Sequence, residues 1–223
     1  FSKMSHDIRT PMNAIMGLAA LAAHCDDKDH VDDYLKKIVT SGKHMLELLN
    51  EVLDMSKIES GKVDLVLEDV SLPDVVDNIV SICRPMMVEK QQEFKVNIFN
   101  VRNEHVITDG DRLQQVFMNL LSNAIKYTPE NSNISLNARR VEDKILIEVQ
   151  DDGNGVLHPD QLFEMFYTEN NRGGDTRRGM GLGLSLCKSI IQSHGGTIWV
   201  ENVTPHGACF KFVLDAVEVK LYE

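Results

Sequence analysis

Two stretches of apolar repeats at the start of the chain limit its possible folds more than any other feature. Across roughly residues 2–24, Ile8, Met12, Ile15, Ala19 and Ala22 recur at intervals alternating four and three. After a polar connection from His24 to Val31, Leu35, Ile38, Gly42, Met45, Leu49 and Val52 repeat the alternation. That spacing keeps one stripe of a helix turned toward a neighbour, as in the seam of a helical bundle. The two stretches therefore read as antiparallel helices. Leu46, Leu48 and Leu53 widen the apolar face of the second beyond what a single partner covers, so a lone hairpin would leave apolar surface in water. Pairing with a second copy into a four-helix bundle resolves this, and a homodimer through the helical hairpin is expected.

Glu59-Ser60-Gly61-Lys62 closes the second helix, with Gly61 free to take a left-handed C-terminal conformation. The boundary placed there gives residues 1–61 to the hairpin and 62–223 to a second domain. In that domain Lys62 to Val70 reads as a strand. Ser71-Leu72-Pro73-Asp74 has capping-box spacing ahead of a helix that turns Leu72, Val75, Ile79, Ile82, Cys83 and Met86 inward, with Pro85 bending or shortening it. Short strands are expected at Phe94–Phe99, His105–Thr108, Asn133–Arg139, Lys144–Gln150, Thr197–Asn202 and Ala208–Leu214, and helices at 111–127 and 182–194. This irregular mixture fits an α+β sandwich better than a doubly wound parallel sheet.

Composition removes several function classes. A formal net charge of −11 leaves no basic stripe to displace counterions, so nucleic acid is not an expected partner. No apolar run is long enough to span a bilayer; a membrane enters only through regions outside this chain, and a cytoplasmic fragment is expected. The widely spaced Cys25, Cys83, Cys187 and Cys209 form no metal-binding or disulfide pattern and read as free thiols.

Four segments carry chemistry. On the helix at 111–127, Asn119, Asn123, Lys126 and Tyr127 fall at helical spacing, opposite an apolar face of Leu113, Val116, Leu120 and Leu121. Amides, a cation and an aromatic ring in that order suit a metal-bound nucleotide, although the stripe alone also fits a solvated helix face. Asp151-Asp152-Gly153-Asn154-Gly155 places a carboxylate at a strand end, where it can accept from an exocyclic amine, before glycines that admit a close ligand. Read alone, this is an ordinary Asp-Gly turn. Gly179, Gly181 and Gly183 open a helix whose N-terminal amides can meet phosphate. Their G-x-G-x-G spacing differs from the dinucleotide and Walker patterns. Finally, His6 lies near the start of the first helix beside Asp7, with Thr10 a turn further on, and Pro11 cannot donate to the Asp7 carbonyl. A neutral imidazole is a competent nucleophile toward phosphorus.

In this order, with Phe163 to Tyr167 lying between the two glycine segments, these elements resemble the sensor histidine kinases of two-component signalling over almost the whole chain. The resemblance implies the mixed-sheet ATPase fold shared with gyrase and related chaperones, with ATP and Mg²⁺ as cofactors. It implies autophosphorylation of His6 and transfer to an aspartate on the receiver domain of a response regulator. Asp7 would be the general base, and Thr10 would position water for dephosphorylating that partner. Asp151 would read the adenine amino group, with Gly153 and Gly155 lining the base pocket. Gly179, Gly181, Leu182, Gly183 and Leu184 would form the phosphate loop. Asn123 would ligate Mg²⁺ with Asn119 beside it, Lys126 would meet phosphate, and Tyr127 would pack on the base or its sugar. Between Thr168 and Arg178 a polar flap carries Arg172, Arg177 and Arg178, which fit either phosphate contacts or solvated loop positions equally well. A non-catalytic dimer scaffold would be favoured by damage to Asn123, Asp151 or the glycines, and none is damaged. An ATP-hydrolysing machine of the gyrase type would lack the His6 helix.

Overall fold

The computed structural model describes residues 2–59, 65–99, 105–168 and 181–215. Helix α1 (Ser2–Ala23) packs along α2 (Lys28–Glu59) as the expected hairpin. The second helix starts earlier than the polar composition of His24 to Val31 implied. Asp27 accounts for the difference: its carboxylate accepts the Asp29 amide at 3.0 Å and its carbonyl accepts the Val31 amide at 3.0 Å, so acidic residues that read as a connection form the first turn. Met12, Met16, Leu21, Leu35, Val39, Leu46, Leu49 and Leu53 all remain exposed along the hairpin. That is a larger apolar surface than scattered surface residues produce.

The segment expected as a strand over Lys62 to Val70 is shorter: β1 is Glu68–Ser71. It pairs antiparallel with β3 (His105–Thr108), and four-residue β3 limits its length. Residues 60–64, with the expected boundary at Gly61, lie outside the described residues. Ser71 caps α3 (Leu72–Glu89), its hydroxyl accepting from the Asp74 amide at 3.4 Å. Pro85 does not shorten this helix, which continues to Glu89. The buried stripe is Leu72, Val76, Ile79, Cys83 and Met87, whereas Ile82 and Met86 are exposed. Both 3-4 and 4-3 spacings from Leu72 hit apolar residues, and the packing partners on the helix Gly110–Tyr127 select between them.

The main sheet runs β2 (Glu93–Phe99), β4 (Asn133–Val141), β5 (Lys144–Asp151), β7 (Ala208–Asp215) and β6 (Thr197–Asn202) in that spatial order. Its β2–β4 pair is parallel and the others antiparallel. Helices α3, α4 (Gly110–Tyr127) and α5 (Gly183–Ser193) join it in one core. In that core Phe117 of α4 meets Phe212 of β7 edge to face at 5.6 Å, a geometry favoured beyond the area it buries. Along β4, and along β5 from Ile147 onward, buried residues alternate with half-buried or exposed ones, the period-2 signature of a sheet with one face on a core. The α+β architecture is therefore the expected one, a helical hairpin followed by a mixed sheet backed by helices.

Candidate functional site

Helix α4 is fixed at its N-terminus by Asp109. The Asp109 carboxylate accepts the Arg112 and Val66 amides, each at 3.0 Å. Its own amide donates to His194 Nε2 at 3.2 Å, while His194 Nδ1 donates to the Ile190 carbonyl at 2.8 Å. Burial opposes the Asp109 charge, but the two amides and the neighbouring Arg112 and His194 hold its carboxyl below the ordinary 3.8. One residue thus joins the chain entering the sheet, the start of α4 and the end of α5, the first two through its carboxylate and the third through its amide.

The apolar side of α4 is buried as expected, with Leu113, Val116, Leu120 and Leu121 at 1% exposure or less. On its other side Asn119 and Asn123 are half-buried, and Lys126 and Tyr127 are exposed. Asn119 Nδ2 donates to the Gly183 carbonyl at 3.3 Å, bringing the polar stripe to the N-terminus of α5. No hydrogen bond occupies the Asn123 amide among the described residues, which leaves its carbonyl for a ligand. Lys126 Nζ lies 5.1 Å from the centroid of the Tyr127 ring.

Asp151 ends β5 at 9% exposure. Its Oδ1 accepts from the Gly153 amide at 2.9 Å and the Ala208 amide at 3.4 Å. Burial pushes the carboxyl above its ordinary value, and these amides only partly offset that. With both hydrogen bonds on Oδ1, Oδ2 is left to accept from a ligand amine. A side chain at Gly153 would lie 3.4 Å from the Tyr127 carbonyl, so this turn abuts the last turn of α4. Gly155, at φ +74, has backbone that L side chains rarely adopt, and a Cβ there would sit 2.7 Å from Asn202 Oδ1.

Asn202 and His206 hold the loop that follows Asp151, and no sequence motif points to either. Asn202 accepts the Val156 amide at 2.7 Å and donates to the Val156 carbonyl at 2.9 Å. His206 Nδ1 donates to the Asp152 carbonyl at 2.7 Å. The Asp152 side chain accepts from the backbone and side chain of Asn133. Although burial opposes its charge, those bonds hold its carboxyl below the ordinary value. The two anchors are joined to the loop only through the tertiary fold, so no local sequence pattern announces them.

Gly181, at φ +75, accepts the Phe166 amide on its carbonyl at 3.1 Å, and a Cβ there would lie 2.6 Å from the Tyr167 carbonyl. Phe163 of the same segment packs edge-on against Phe210 at 6.4 Å. Cap residue Leu182 makes no side-chain cap hydrogen bond to α5, so the cap leaves the amides opening that helix unclaimed. The two expected loop leucines part company. Leu184 packs against the main core. Leu182, at 2% exposure, is buried instead with Leu48 of α2, flanked by Ile8 and Val52. The glycine segment therefore touches the helical hairpin directly.

His6 and Asp7 lie in the early turns of α1, but their side chains are outside the described residues. Thr10 is exposed on the same helix, before buried Pro11. Gly179, Arg172, Arg177 and Arg178 also fall outside the described residues. Among the described residues no three His, Cys, Asp or Glu side chains cluster as a metal cage. The donors present, an uncommitted amide carbonyl on Asn123 one helical turn beyond the Asn119 contact with Gly183, fit a Mg²⁺ ion that would take its remaining ligands from phosphates and water.

Residues 1–61 match the family described as "His Kinase A (phospho-acceptor) domain", and residues 108–218 match "Histidine kinase-, DNA gyrase B-, and HSP90-like ATPase". The autoinducer 2 sensor kinase/phosphatase LuxQ of Vibrio harveyi is 34% identical over 221 residues, covering 96% of this chain and 26% of that protein. The chain thus spans about a quarter of the length of the curated relatives it matches. Among solved structures, histidine kinase ThkA in complex with the response regulator TrrA has a TM-score of 0.75 at 25% identity, covering 97% of this chain and 60% of that one. Full-length ShkA in complex with AMPPNP has a TM-score of 0.74 at 25% identity, covering 99% of this chain and 46% of that one.

Proposed function

Because this chain belongs to the sensor histidine kinase family, we propose that it binds Mg·ATP, phosphorylates His6 and passes the phosphoryl group to an aspartate of a response regulator. The observation that carries this reading is the joining of three ligand-ready groups on one surface. The Asn119 bond to Gly183 links the α4 stripe to the open end of α5, and the Gly153 turn abuts the end of α4. Adenine amine meets Asp151 Oδ2, Lys126 and the amides at Gly183 meet phosphate, and Tyr127 covers the base or sugar. Bound Mg²⁺, held by the Asn123 carbonyl, supplies charge neutralisation at the phosphates. A ring nitrogen of His6 attacks the γ-phosphorus, the bond to ADP breaks, and Asp7 takes the proton from the other ring nitrogen.

The residue division into a phosphoacceptor hairpin at 1–61 and an ATP-binding domain at 62–223 is part of the same proposal, as is dimerisation through the exposed hairpin stripe. Thr10 would orient water for dephosphorylating the regulator. LuxQ is described as a kinase/phosphatase, which supports that second activity. No described helix is long and apolar enough to cross a membrane; a cytoplasmic location for this part belongs to the same proposal. Incubation with Mg·ATP followed by intact mass measurement tests the proposal. An acid-labile phosphoryl adduct is expected on the native protein and absent from His6→Gln and Asn123→Ala. An unchanged adduct on His6→Gln would overturn the assignment.

A further inference from the structure

The last turn of α4 carries Lys126 and Tyr127, and its carbonyls point at two side chains from outside the site. Half-buried Lys90, the C-cap of α3, donates from Nζ to the carbonyls of Ile125 at 2.7 Å, Lys126 at 3.0 Å and Thr128 at 3.3 Å. Gln92, at 7% exposure, donates from Nε2 to the carbonyls of Ile125 at 3.2 Å, Thr128 at 3.0 Å and Pro129 at 3.1 Å. We propose that Lys90 and Gln92 are positioning residues for nucleotide binding, clamping the end of α4 so that Lys126 and Tyr127 hold their places.

A helix ends with carbonyls that lack intrahelical partners and with the negative end of its dipole. A cation there is favourable, and here it is shared among three carbonyls that water would otherwise have to satisfy. The amide of Gln92 has only one workable orientation. Turned over, its oxygen would face three carbonyl oxygens, acceptor against acceptor. In the orientation present, Gln92 Oε1 is buried without a partner, an expensive state sustained by the contacts its nitrogen makes. The clamp also reaches the base pocket. Gly153 lies against the Tyr127 carbonyl, and the Gly153 amide holds Asp151 Oδ1. A displaced α4 end would therefore disturb the adenine carboxylate together with the stripe. The Lys90 carbonyl further accepts the Asn131 amide at 3.2 Å, and the Glu93 amide donates to Ser132 at 2.9 Å, tying the two chain segments just before β2 and β4 pair.

This inference rests on the reading that Lys126 and Tyr127 contact nucleotide, and the test separates the two. Mg·ADP is titrated calorimetrically into the whole chain carrying Lys90→Met, Lys90→Arg, Lys126→Ala/Tyr127→Ala, and the last combined with Lys90→Met. Lys90→Met is expected to weaken Mg·ADP binding on the order of tenfold, the scale of one lost charged hydrogen bond. Lys90→Arg should restore most of that. On the Lys126→Ala/Tyr127→Ala background, Lys90→Met should add less than about twofold, because coupled residues are non-additive. Binding within about twofold of the native protein for Lys90→Met, or an equal loss on both backgrounds, overturns the clamp. An unweakened Lys126→Ala/Tyr127→Ala variant instead overturns the nucleotide role of the stripe. Should Lys90→Met melt below the titration temperature, Lys90→Gln, which keeps an NH₂ donor on a shorter stem, carries the same comparison.

Discussion

Replacing Asp151 by Asn separates stability from recognition at one position. Asp151 Oδ1 is committed to the amides of Gly153 and Ala208. An asparagine keeps those bonds only by placing its carbonyl oxygen there, which turns its NH₂ toward the adenine amine. A donor then meets a donor. The lost interaction is a hydrogen bond to a charged acceptor, worth about 1.5–3 kcal/mol, so affinity for Mg·ATP should fall roughly 10- to 150-fold. The opposed donors place the result in the upper part of that range. Stability should move the other way. Burial raises the Asp151 carboxyl above its ordinary 3.8, so the folded protein retains that proton to higher pH than the unfolded chain. As pH rises from the unfolded value through the raised folded one, ionising this buried group lowers stability. At neutral pH the carboxylate is thus a burden that the neutral amide lacks. Without nucleotide, Asp151→Asn should melt at the same temperature or higher. Calorimetric titration and thermal melts check the two halves. Affinity within about threefold of the native protein refutes recognition through Oδ2, and a melt several degrees lower refutes the desolvation argument.

Acid should act oppositely on Asp109 and Asp152, whose carboxyls are held below the ordinary value. Their stabilisation is present above about pH 4 and is lost as pH falls through their folded values; Asp152→Asn should flatten the acid side of a urea-midpoint profile. Gly155→Ala should lose about 1–2 kcal/mol from its left-handed backbone alone, with more from collision with Asn202, and chemical denaturation reads the sum. Leu48→Ala should loosen the contact with Leu182, at a local cost of about 2 kcal/mol or more, and amide exchange should rise at the start of α5 while the central sheet stays protected. Cys187, fully buried with its thiol pushed to about 12, should resist alkylating reagents, whereas half-exposed Cys25 should react.

Sequence periodicity revealed most of the frame because the forces involved are local or strongly patterned. The apolar face of α4, the alternation along β4 and β5, and the capping of α3 by Ser71 all place a side chain by its spacing to near neighbours. The α3 stripe was misplaced where two spacings were equally apolar and only packing decides. Asp27 reads as part of a connection by composition, whereas its capping geometry makes it the start of α2. At the site, Asp151, Asn119 and the glycines were legible as a constellation of residue types with special chemistry. Asn202, His206, Lys90 and Gln92 were not. Each acts on backbone carbonyls or amides of a distant segment, and backbone partners leave no mark in the sequence of either segment.

Leu182 occupies two places in the molecule's mechanics. Its neighbour Gly183 starts α5, and its side chain is seated against Leu48 on the helical hairpin. A twist of α2 that withdraws Leu48 would wet a leucine, at about 1.5–3 kcal/mol for full exposure, unless the helix start follows it. Among the described residues the hairpin and the start of α5 are thus hinged on this leucine pair, so a torque applied to one is expected to change the shape of the other.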